Sequence, residues 1–525
     1  MPGKMPLIVW PRTVDIKNIN ATVTLADGVK LILRGLTLQM GEGMPGVFEC
    51  QEFRREPDGL EFQNLKADVV WESRHITIQN LTLPKAVILE KLAIDLQGLW
   101  ESDTSVAVAL LAKLGAARFN VDASASGLLT PPLRIDAKVK GRDLRSDELQ
   151  TLGLPNEVFF EKGSLDLQVK GDPSVPAQIA MDLAFSLANL RTAGAIVDGV
   201  SIQASVKDGR AEVKALEVSR AENRLKVTAE ATLPADLKDW ETIPWTAQLD
   251  GSLPKVTDFL EKPPALFGNL QLKATAEGKG ATPTKASGEL LGDTLAFETY
   301  KLPKLRTLFS LDGRQARFEL PPLELGAGNT IALNATMEMQ DAMPMKADWL
   351  MQIKDPAALM QTTGLPAPEQ PVKGVLESKG KASFNVQDLS AQDYSKLVAE
   401  MNLKVDEASY GEGKVQHVAI SSHVEKGRAQ LETVSIQVDA KNAIELTGEM
   451  ELKAPFAFQA KGDIGLSELT AFNALLKASG APEMMSGALT SSLNVTGQLQ
   501  PWQCQGEMNV DASAVRTAAM PEAVT

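Results

Sequence analysis

Residues 163–171 read Gly-Ser-Leu-Asp-Leu-Gln-Val-Lys-Gly, a strict alternation of apolar and polar side chains between two glycines. Successive side chains of a β-strand point to opposite faces, so this segment has one apolar face and one polar face. Residues 133–139 and 225–233 show the same pattern, with an apolar residue at every odd position. Such alternation is typical of antiparallel sheets, because strands of buried parallel sheets are apolar throughout. The sequence therefore predicts a mainly all-β, largely antiparallel fold.

The glycine that opens this segment recurs at a nearly constant interval. Gly163, Gly268, Gly374 and Gly487 each begin a Gly-x-Leu strand pattern, and their spacings are 105, 106 and 113 residues. A fixed period of this kind indicates a repeat architecture. We call these four residues the marker glycines. A short helical pattern and a loop containing Gly or Pro precede each marker, and we expect roughly six strands per repeat. The predicted helices cover residues 144–152, 256–260, 357–360 and 466–476.

The markers predict a division of the chain into successive units. They are a divergent or partial N-terminal β unit (1–130), three β repeats (131–250, 251–352 and 353–462), a truncated fourth repeat (463–512) and a disordered tail (513–525). The fourth repeat stops about 38 residues after its marker, so we expect the chain to be a fragment or a split gene product. The repeats could form separate sandwiches, but the scarcity of long linkers favours one continuous sheet.

Charge and composition narrow the classes of function. The chain has 525 residues and a formal net charge of −14, which argues against nucleic-acid binding because phosphate contacts need a basic patch. The longest uninterrupted apolar run, Val106 to Ala112, is far shorter than the ~20 residues of a membrane-spanning helix. Two cysteines 454 residues apart provide neither a disulfide scaffold nor a CxxC metal site.

Candidate catalytic residues are absent from the sequence pattern. The chain has three histidines, and His417 and His423 share a strand face with Glu425. Six residues of strand separate the two imidazoles by ~20 Å, which is too far for one metal ion. No nucleophile elbow, phosphate-binding loop or HExxH motif occurs. We therefore predict no enzyme activity, no cofactor and no catalytic or metal-binding residue.

The repeats resemble the AsmA-like and TamB-like proteins of the bacterial cell envelope, which themselves resemble bridge-like lipid transfer proteins. The segments 163–171, 268–278 and 487–497 carry the resemblance. It implies an elongated, curved sheet that forms an open, taco-like groove with an apolar concave face. It also implies a periplasmic protein, anchored in the inner membrane in its full-length form, that moves phospholipid toward the outer membrane. The anchor helix of that family is missing from this sequence.

The resemblance suggests a lining for such a groove. The candidates are the apolar residues of three marker strands: Leu165, Leu167, Val169, Leu270, Leu272, Ala274, Leu489, Leu493 and Val495. They would contact phospholipid or another acyl-chain lipid, and the outer end would meet an outer-membrane protein. The alternation equally allows these residues to fill the core of a closed sandwich.

Two other functions stay open. A repetitive β-sandwich protein of the adhesin type would have the same strand pattern, but its usual acidic calcium loops do not occur. A carbohydrate-active β enzyme would normally have aromatic platforms, and seven Trp and three Tyr are few for this length. The predicted function is a non-enzymatic contribution to phospholipid transport or outer-membrane biogenesis.

Overall fold

The structure is a computed structural model that describes residues 12–24, 29–56, 60–83, 87–100, 104–128, 132–173, 175–192, 194–234, 241–260, 266–478, 486–517 and 520–524. These residues form 30 strands and a few short helices, which confirms the prediction of an all-β fold. The chain divides into two compact units. The first is Met1–Leu253, Thr257–Pro263 and Glu277–Thr282, and the second is Pro254–Val256, Pro264–Ala276 and Pro283–Thr525.

The first unit contains fifteen strands and one α-helix within the described residues. They are β1 (Thr13–Thr24), β2 (Lys30–Gly41), β3 (Met44–Glu56), β4 (Leu60–Glu72), β5 (His75–Thr82), β6 (Val87–Asp95), β7 (Val106–Leu114), β8 (Ala117–Ser126), β9 (Arg134–Leu144), α1 (Ser146–Gln150), β10 (Lys162–Gly171), β11 (Ala180–Thr192), β12 (Ala195–Lys207), β13 (Arg210–Arg220), β14 (Asn223–Thr232) and β15 (Pro244–Leu253). Short 3-10 helices cover Gln97–Trp100, Pro176–Gln178 and Val256–Phe259.

Strand β16 (Leu266–Lys279) has residues in both units, and the remaining elements belong almost wholly to the second. They are β17 (Thr282–Phe297), β18 (Tyr300–Asp312), β19 (Gln315–Glu324), β20 (Thr330–Glu338), β21 (Pro344–Ile353), α2 (Pro356–Thr363), β22 (Val372–Asn385), α3 (Val386–Ser390), β23 (Val398–Tyr410), β24 (Gly413–Glu425), β25 (Arg428–Asp439), β26 (Asn442–Glu451), β27 (Ala457–Leu466), a 3-10 helix (Leu469–Phe472), α4 (Asn473–Ala478), β28 (Ser486–Leu499), β29 (Trp502–Thr517) and β30 (Met520–Val524).

Strands pair antiparallel with the strand that follows them in sequence in two runs, one in each unit. This order runs unbroken from β1 to β15 in the first unit. It runs from β17 to β30 in the second. Among the described strands no pairing joins the first strand of a unit to its last, so each sheet is open.

The marker glycines lie six strands apart, in β10, β16, β22 and β28, as the sequence predicts. Within the second unit, β21 pairs with β22 and β27 with β28, so the sheet continues across the predicted repeat boundaries at 352/353 and 462/463. These junctions are those of a continuous sheet, because separate sandwiches would interrupt the pairing there. The repeat limits themselves stay predictions.

Two marker glycines, Gly374 and Gly487, face a β-bulge on the next strand. Gly487 has a φ of 104° and lies opposite Ala514, a residue with a φ of 52°. A Cβ on Gly487 would lie 2.6 Å from the carbonyl carbon of Ala514, so only glycine fits there. Gly374 meets the same arrangement opposite Glu407. At these two markers the glycine therefore accommodates a bulge that twists the sheet. Gly163 differs, because its register shift lies in the pairing with the preceding strand β9.

The predicted helices form, with different lengths. Asp355 caps α2 by accepting a hydrogen bond from the Ala358 N–H at 2.9 Å, Pro356 is its first residue, and Gly364 ends it with a φ of 73°. These are the start and stop signals that the sequence shows. The pattern at 256–260 forms a 3-10 helix, and α3 is a helix that the sequence pattern does not predict.

The predicted disordered tail, 513–525, includes strand residues. Strand β29 continues to Thr517, where its backbone still pairs with β28 at Arg516, and β30 follows at Met520–Val524. Small side chains there led to the expectation of disorder, but ladder hydrogen bonds depend on the backbone and not on side-chain size. Residues 518, 519 and 525 lie outside the described part of the chain.

Candidate functional site

Leu167 of β10 belongs to an unbroken row of apolar side chains that crosses twelve strands. Residues paired directly across antiparallel strands lie on the same face of a sheet, so the register identifies the row. From β4 to β15 its members are Val69, Ile78, Leu92, Leu110, Val121, Val139, Leu167, Leu183, Ala204, Val213, Ala229 and Ala247.

Two further apolar rows flank the Leu167 row. The Val169 row consists of Trp71, Ile76, Ile94, Val108, Ala123, Ala137, Val169, Met181, Val206, Ala211, Ala231 and Trp245. The Leu165 row consists of Leu81, Leu89, Ala112, Phe119, Gly141, Leu165, Phe185, Ile202, Leu216, Val227 and Leu249. We call these three rows the apolar face of the first unit. The structure brings the predicted residues Leu165, Leu167 and Val169 together at its centre.

The second unit has its own apolar face, made by three adjacent rows. The Leu493 row is Leu323, Ile331, Met351, Ser378, Leu403, Ile420, Val434, Leu446, Gly462, Leu493 and Met508. The Val495 row is Leu320, Leu333, Trp349, Gly380, Met401, Ser422, Leu431, Gly448, Ala460, Val495 and Gly506. The Phe458 row is Gly288, Phe309, Phe318, Ala335, Ala347, Ala382, Ala399, Val424, Ala429, Met450, Phe458, Gly497 and Cys504.

The remaining predicted residues also lie on apolar strand faces. Leu489 pairs with Leu466 at the end of β27 and with Ala512 of β29. On β16, Leu270, Leu272 and Ala274 are half-buried and alternate with exposed polar residues. All nine predicted lining residues are therefore on the apolar side of their strands.

None of the nine predicted lining residues is fully buried. Each keeps an intermediate exposure, while its polar neighbours on the same strand, such as Asp166 and Gln168, are mostly exposed. The side chains in a sealed sandwich core are close-packed and lose nearly all contact with water. Half-burial is what neighbouring strands of a single layer produce when no second layer covers them. The apolar faces are thus open around these nine residues, whereas Val69 and Trp71, at the β4 end of the rows in the first unit, are buried.

The opposite face of the sheet carries charged and polar side chains. The row through Gln168 reads Asp122, Lys138, Gln168, Asp182, Ser205 and Glu212. Ion pairs such as Lys140 with Asp166, at 3.4 Å between Nζ and Oδ2, cross this face. Both partners are about half exposed, so each pair adds little stability. The polar face keeps the sheet hydrated while its other face is free for an apolar partner.

Tightly buried side chains concentrate where helices meet the strand ends. Leu114, Ala117, Leu144 and Phe160 form a core cluster beside α1. Leu149 and Leu154 of the α1 segment pack against it, together with Phe119 and Leu165 of the apolar face. Helix α1 and its loop therefore cover the end of the apolar face in the first unit.

A buried asparagine fixes α2 in the second unit. Asn329 is 0% exposed, and its Oδ1 accepts hydrogen bonds from the backbone N–H groups of Lys354 and Asp355 at 2.8 and 2.9 Å. Its Nδ2 donates to the Asp355 carbonyl at 2.9 Å. Asn442 is its equivalent before α4 and accepts from the Glu468 N–H at 3.1 Å. Asn223 of the first unit is equally buried. Asn329 and Asn442 thus link the start of one strand to the turn that ends the next.

The apolar face of the second unit includes a few hydroxyl groups. Trp349 donates its Nε1–H to Ser378 Oγ at 3.4 Å. Ser491 is 5% exposed, and its Oγ has no hydrogen-bond partner. The three rows of the first unit contain no hydroxyl, so the two faces differ in polarity.

The polar face of the first unit has a shallow hollow of about 450 Å³ near Gly163. Ser164 and Ser186 share a hydrogen bond of 2.7 Å in it. Asp198, at its rim, accepts hydrogen bonds from the Ala221 N–H at 2.6 Å and from the Arg220 guanidinium, and these lower the pKa of its carboxyl group. The hollow is lined by both charged and aliphatic residues and lies on the face opposite the candidate lining.

The histidines occupy the strand positions that the sequence indicates. On β24, His417 Nδ1 lies 2.6 Å from Asp406 Oδ1, and His423 Nε2 lies 3.7 Å from Glu425 Oε2. Each imidazole thus has its own carboxylate. Among the described residues no group of three His, Cys, Asp or Glu side chains could hold a metal ion.

Two features of the site are not predicted from the sequence pattern. Asn80 of β5 and Asn189 of β11 are both left-handed, with φ of 57° and 53°, and they lie six strands apart. A left-handed strand residue therefore also occurs in the N-terminal region, where no marker glycine precedes it. Aromatic rings on the apolar face were also missed, although Trp245 and Trp349 are 104 residues apart, close to the repeat period.

No family, no curated protein and no solved structure matches this chain. In the part of the chain that the structure describes, no helix is long and apolar enough to cross a membrane.

Proposed function

We propose that this chain is a non-enzymatic protein of the bacterial cell envelope whose apolar sheet faces shield acyl chains during phospholipid transport or outer-membrane biogenesis. The observation that carries the proposal is the set of apolar rows that cross twelve strands in the first unit and thirteen in the second. An apolar surface of this extent needs a partner, because water contact with it is unfavourable.

An acyl chain is a partner that such rows can accommodate along their whole length. Each CH₂ group that leaves water contributes about 0.8 kcal/mol. A lipid that moves from one strand to the next exchanges one aliphatic contact for another, since Leu167, Leu183 and Ala204 follow one another in a row. The lipid can thus move along the row with small changes in free energy. Its headgroup stays in water.

The alternative functions have less support. A repetitive β-sandwich adhesin would bury Leu165, Leu167 and Val169 in a closed core, whereas these residues are half-buried. A carbohydrate-active enzyme would place aromatic platforms beside paired carboxylates in a cleft, and the hollow at Gly163, whose lining includes Asp198 and Glu217, contains no aromatic ring.

The proposed location and partners follow from the resemblance to AsmA-like and TamB-like proteins. We place the chain in the periplasm, as part of a protein held at the inner membrane by an anchor outside this sequence. The proposed partners are phospholipid and an outer-membrane protein, with no nucleic acid. The net charge of −14 supports the last point.

Native mass spectrometry tests the proposed function. The full chain, purified without detergent from a bacterial host, should retain phospholipid, and organic extraction should release diacyl species. The expected result is a series of masses separated by one phospholipid each. Reproducible lipid-free protein, together with no uptake from phosphatidylglycerol vesicles, would contradict the proposal.

A further inference from the structure

Three aromatic rings on the apolar faces share one local arrangement. Trp245 of β15, Trp349 of β21 and Phe458 of β27 are each on the strand that precedes a marker strand. Each ring lies over a glycine of that marker strand, where it leaves no room for a Cβ. The three glycines are Gly278, Gly380 and Gly497.

Hydrogen bonds hold the two indole rings in this orientation. Trp245 donates its Nε1–H to the Gly280 carbonyl at 2.9 Å, and Trp349 donates to Ser378 Oγ at 3.4 Å. With the indole N–H paired, the ring presents only carbon atoms to the open side of the sheet. Both indoles keep intermediate exposure, so that side is accessible. Phe458 is also half-buried, and the exposed ring of Trp502 stacks against it with ring centroids 6.0 Å apart, so two rings form this position.

The rings of the second unit are too far apart to contact one lipid. Trp349 and Phe458 are six strands apart, and adjacent strands are ~4.8 Å apart, so ~29 Å of sheet separates them. One acyl chain spans only about half of a ~30 Å bilayer hydrocarbon core. Each ring can therefore contact a different lipid molecule.

We infer that each ring is the floor of a separate lipid position, so that the apolar faces hold one acyl lipid at each of Trp245, Trp349 and Phe458. This inference rests on the proposed function. It adds a defined position for each lipid, in contrast to a uniform surface on which lipids have no preferred place.

Quenching by brominated lipid tests the inference at Trp349. The full chain is loaded with phosphatidylglycerol that carries bromine at carbons 9 and 10 of one acyl chain, since bromine quenches only an indole that it contacts. Trp349→Phe should show less quenching than the unmodified protein, because the quenched indole is gone. The fully buried Trp71, at 0% exposure, should keep its emission.

Lipid counting by native mass spectrometry provides the second readout. Trp349→Ala should bind lipid at that position about tenfold more weakly, because much of the ring's contact area is lost. At a lipid concentration that only just fills the unmodified protein, its lipid count should therefore be lower by about one. Trp349→Phe should keep the lipid count, which separates loss of the ring from loss of folding.

Two outcomes would overturn the inference in different ways. If brominated lipid binds but quenching is equal in the unmodified protein and in Trp349→Phe, lipids bind away from Trp349. The inference of a lipid position at each ring is then wrong, while the proposed function still stands. If no lipid binds at all, the proposed function itself fails.

Discussion

Replacing Leu167 with glutamate should lower phospholipid affinity of the first unit by about 100-fold, because an acyl chain in that row would cover an ionised carboxylate. Leu167 is central in its row, between Val139 and Leu183. In lipid-free protein the new carboxylate would stay in water, so the substitution should cost only about 1 kcal/mol of stability. Equilibrium binding of a fluorescent phospholipid measures the affinity.

Gln168→Glu is the matched control. It introduces the same side chain one residue further along β10, on the polar face between Lys138 and Asp182. Its affinity for lipid should equal that of the unmodified protein. Equal losses in the two variants would show that charge anywhere on β10 weakens binding, and would refute the assignment of the apolar face.

Replacing Asn329 with alanine should destabilise the second unit by about 3 kcal/mol, because two N–H groups and one carbonyl group lose their partner. The site is sealed from water, which cannot fully replace the amide. Hydrogen exchange of the Lys354 and Asp355 amides should accelerate first, and the urea midpoint of the second unit should fall.

Asn334→Ala is the control for this substitution. Asn334 is in the adjoining strand β20, is exposed, and donates to Asp348 Oδ2 at 2.9 Å. Its loss should cost less than about 1 kcal/mol. If the two alanine variants have the same stability, Asn329 does not fix α2.

The strand content, the antiparallel order and the six-strand period could be predicted, because the alternation of apolar and polar residues and the marker glycines are local signals in the sequence. The left-handed conformation of Asn80 could not, since no marker glycine accompanies it in the sequence. The exposure of Leu167 could not be predicted from the sequence either. Alternation shows that a strand has an apolar face, but it does not show what covers that face. Likewise, no local sequence pattern around Asn329 indicates that its side-chain amide accepts a hydrogen bond from the backbone N–H of Lys354, which is 25 residues away.

The continuation of β29 to Thr517 shows that amino-acid composition alone does not predict where this strand ends. Small and polar residues there predict disorder, but pairing with β28 depends on register, which Gly487 and Ala514 set through their close approach. Register emerges from long-range pairing and is weakly encoded in a segment without large side chains.

The most direct measurement of an open, lipid-binding face is thiol labelling at two neighbouring positions of β11. Leu183→Cys lies on the apolar face and Asp182→Cys on the polar face, both in a chain with the exposed Cys504 changed to serine. The remaining Cys50 is 1% exposed, and burial raises the pKa of its thiol, so it should not react. Both introduced thiols should react with a maleimide in lipid-free protein, and phosphatidylglycerol should protect only the thiol at position 183. A thiol at 183 that is unreactive without lipid, or that reacts equally fast with lipid present, would contradict the account.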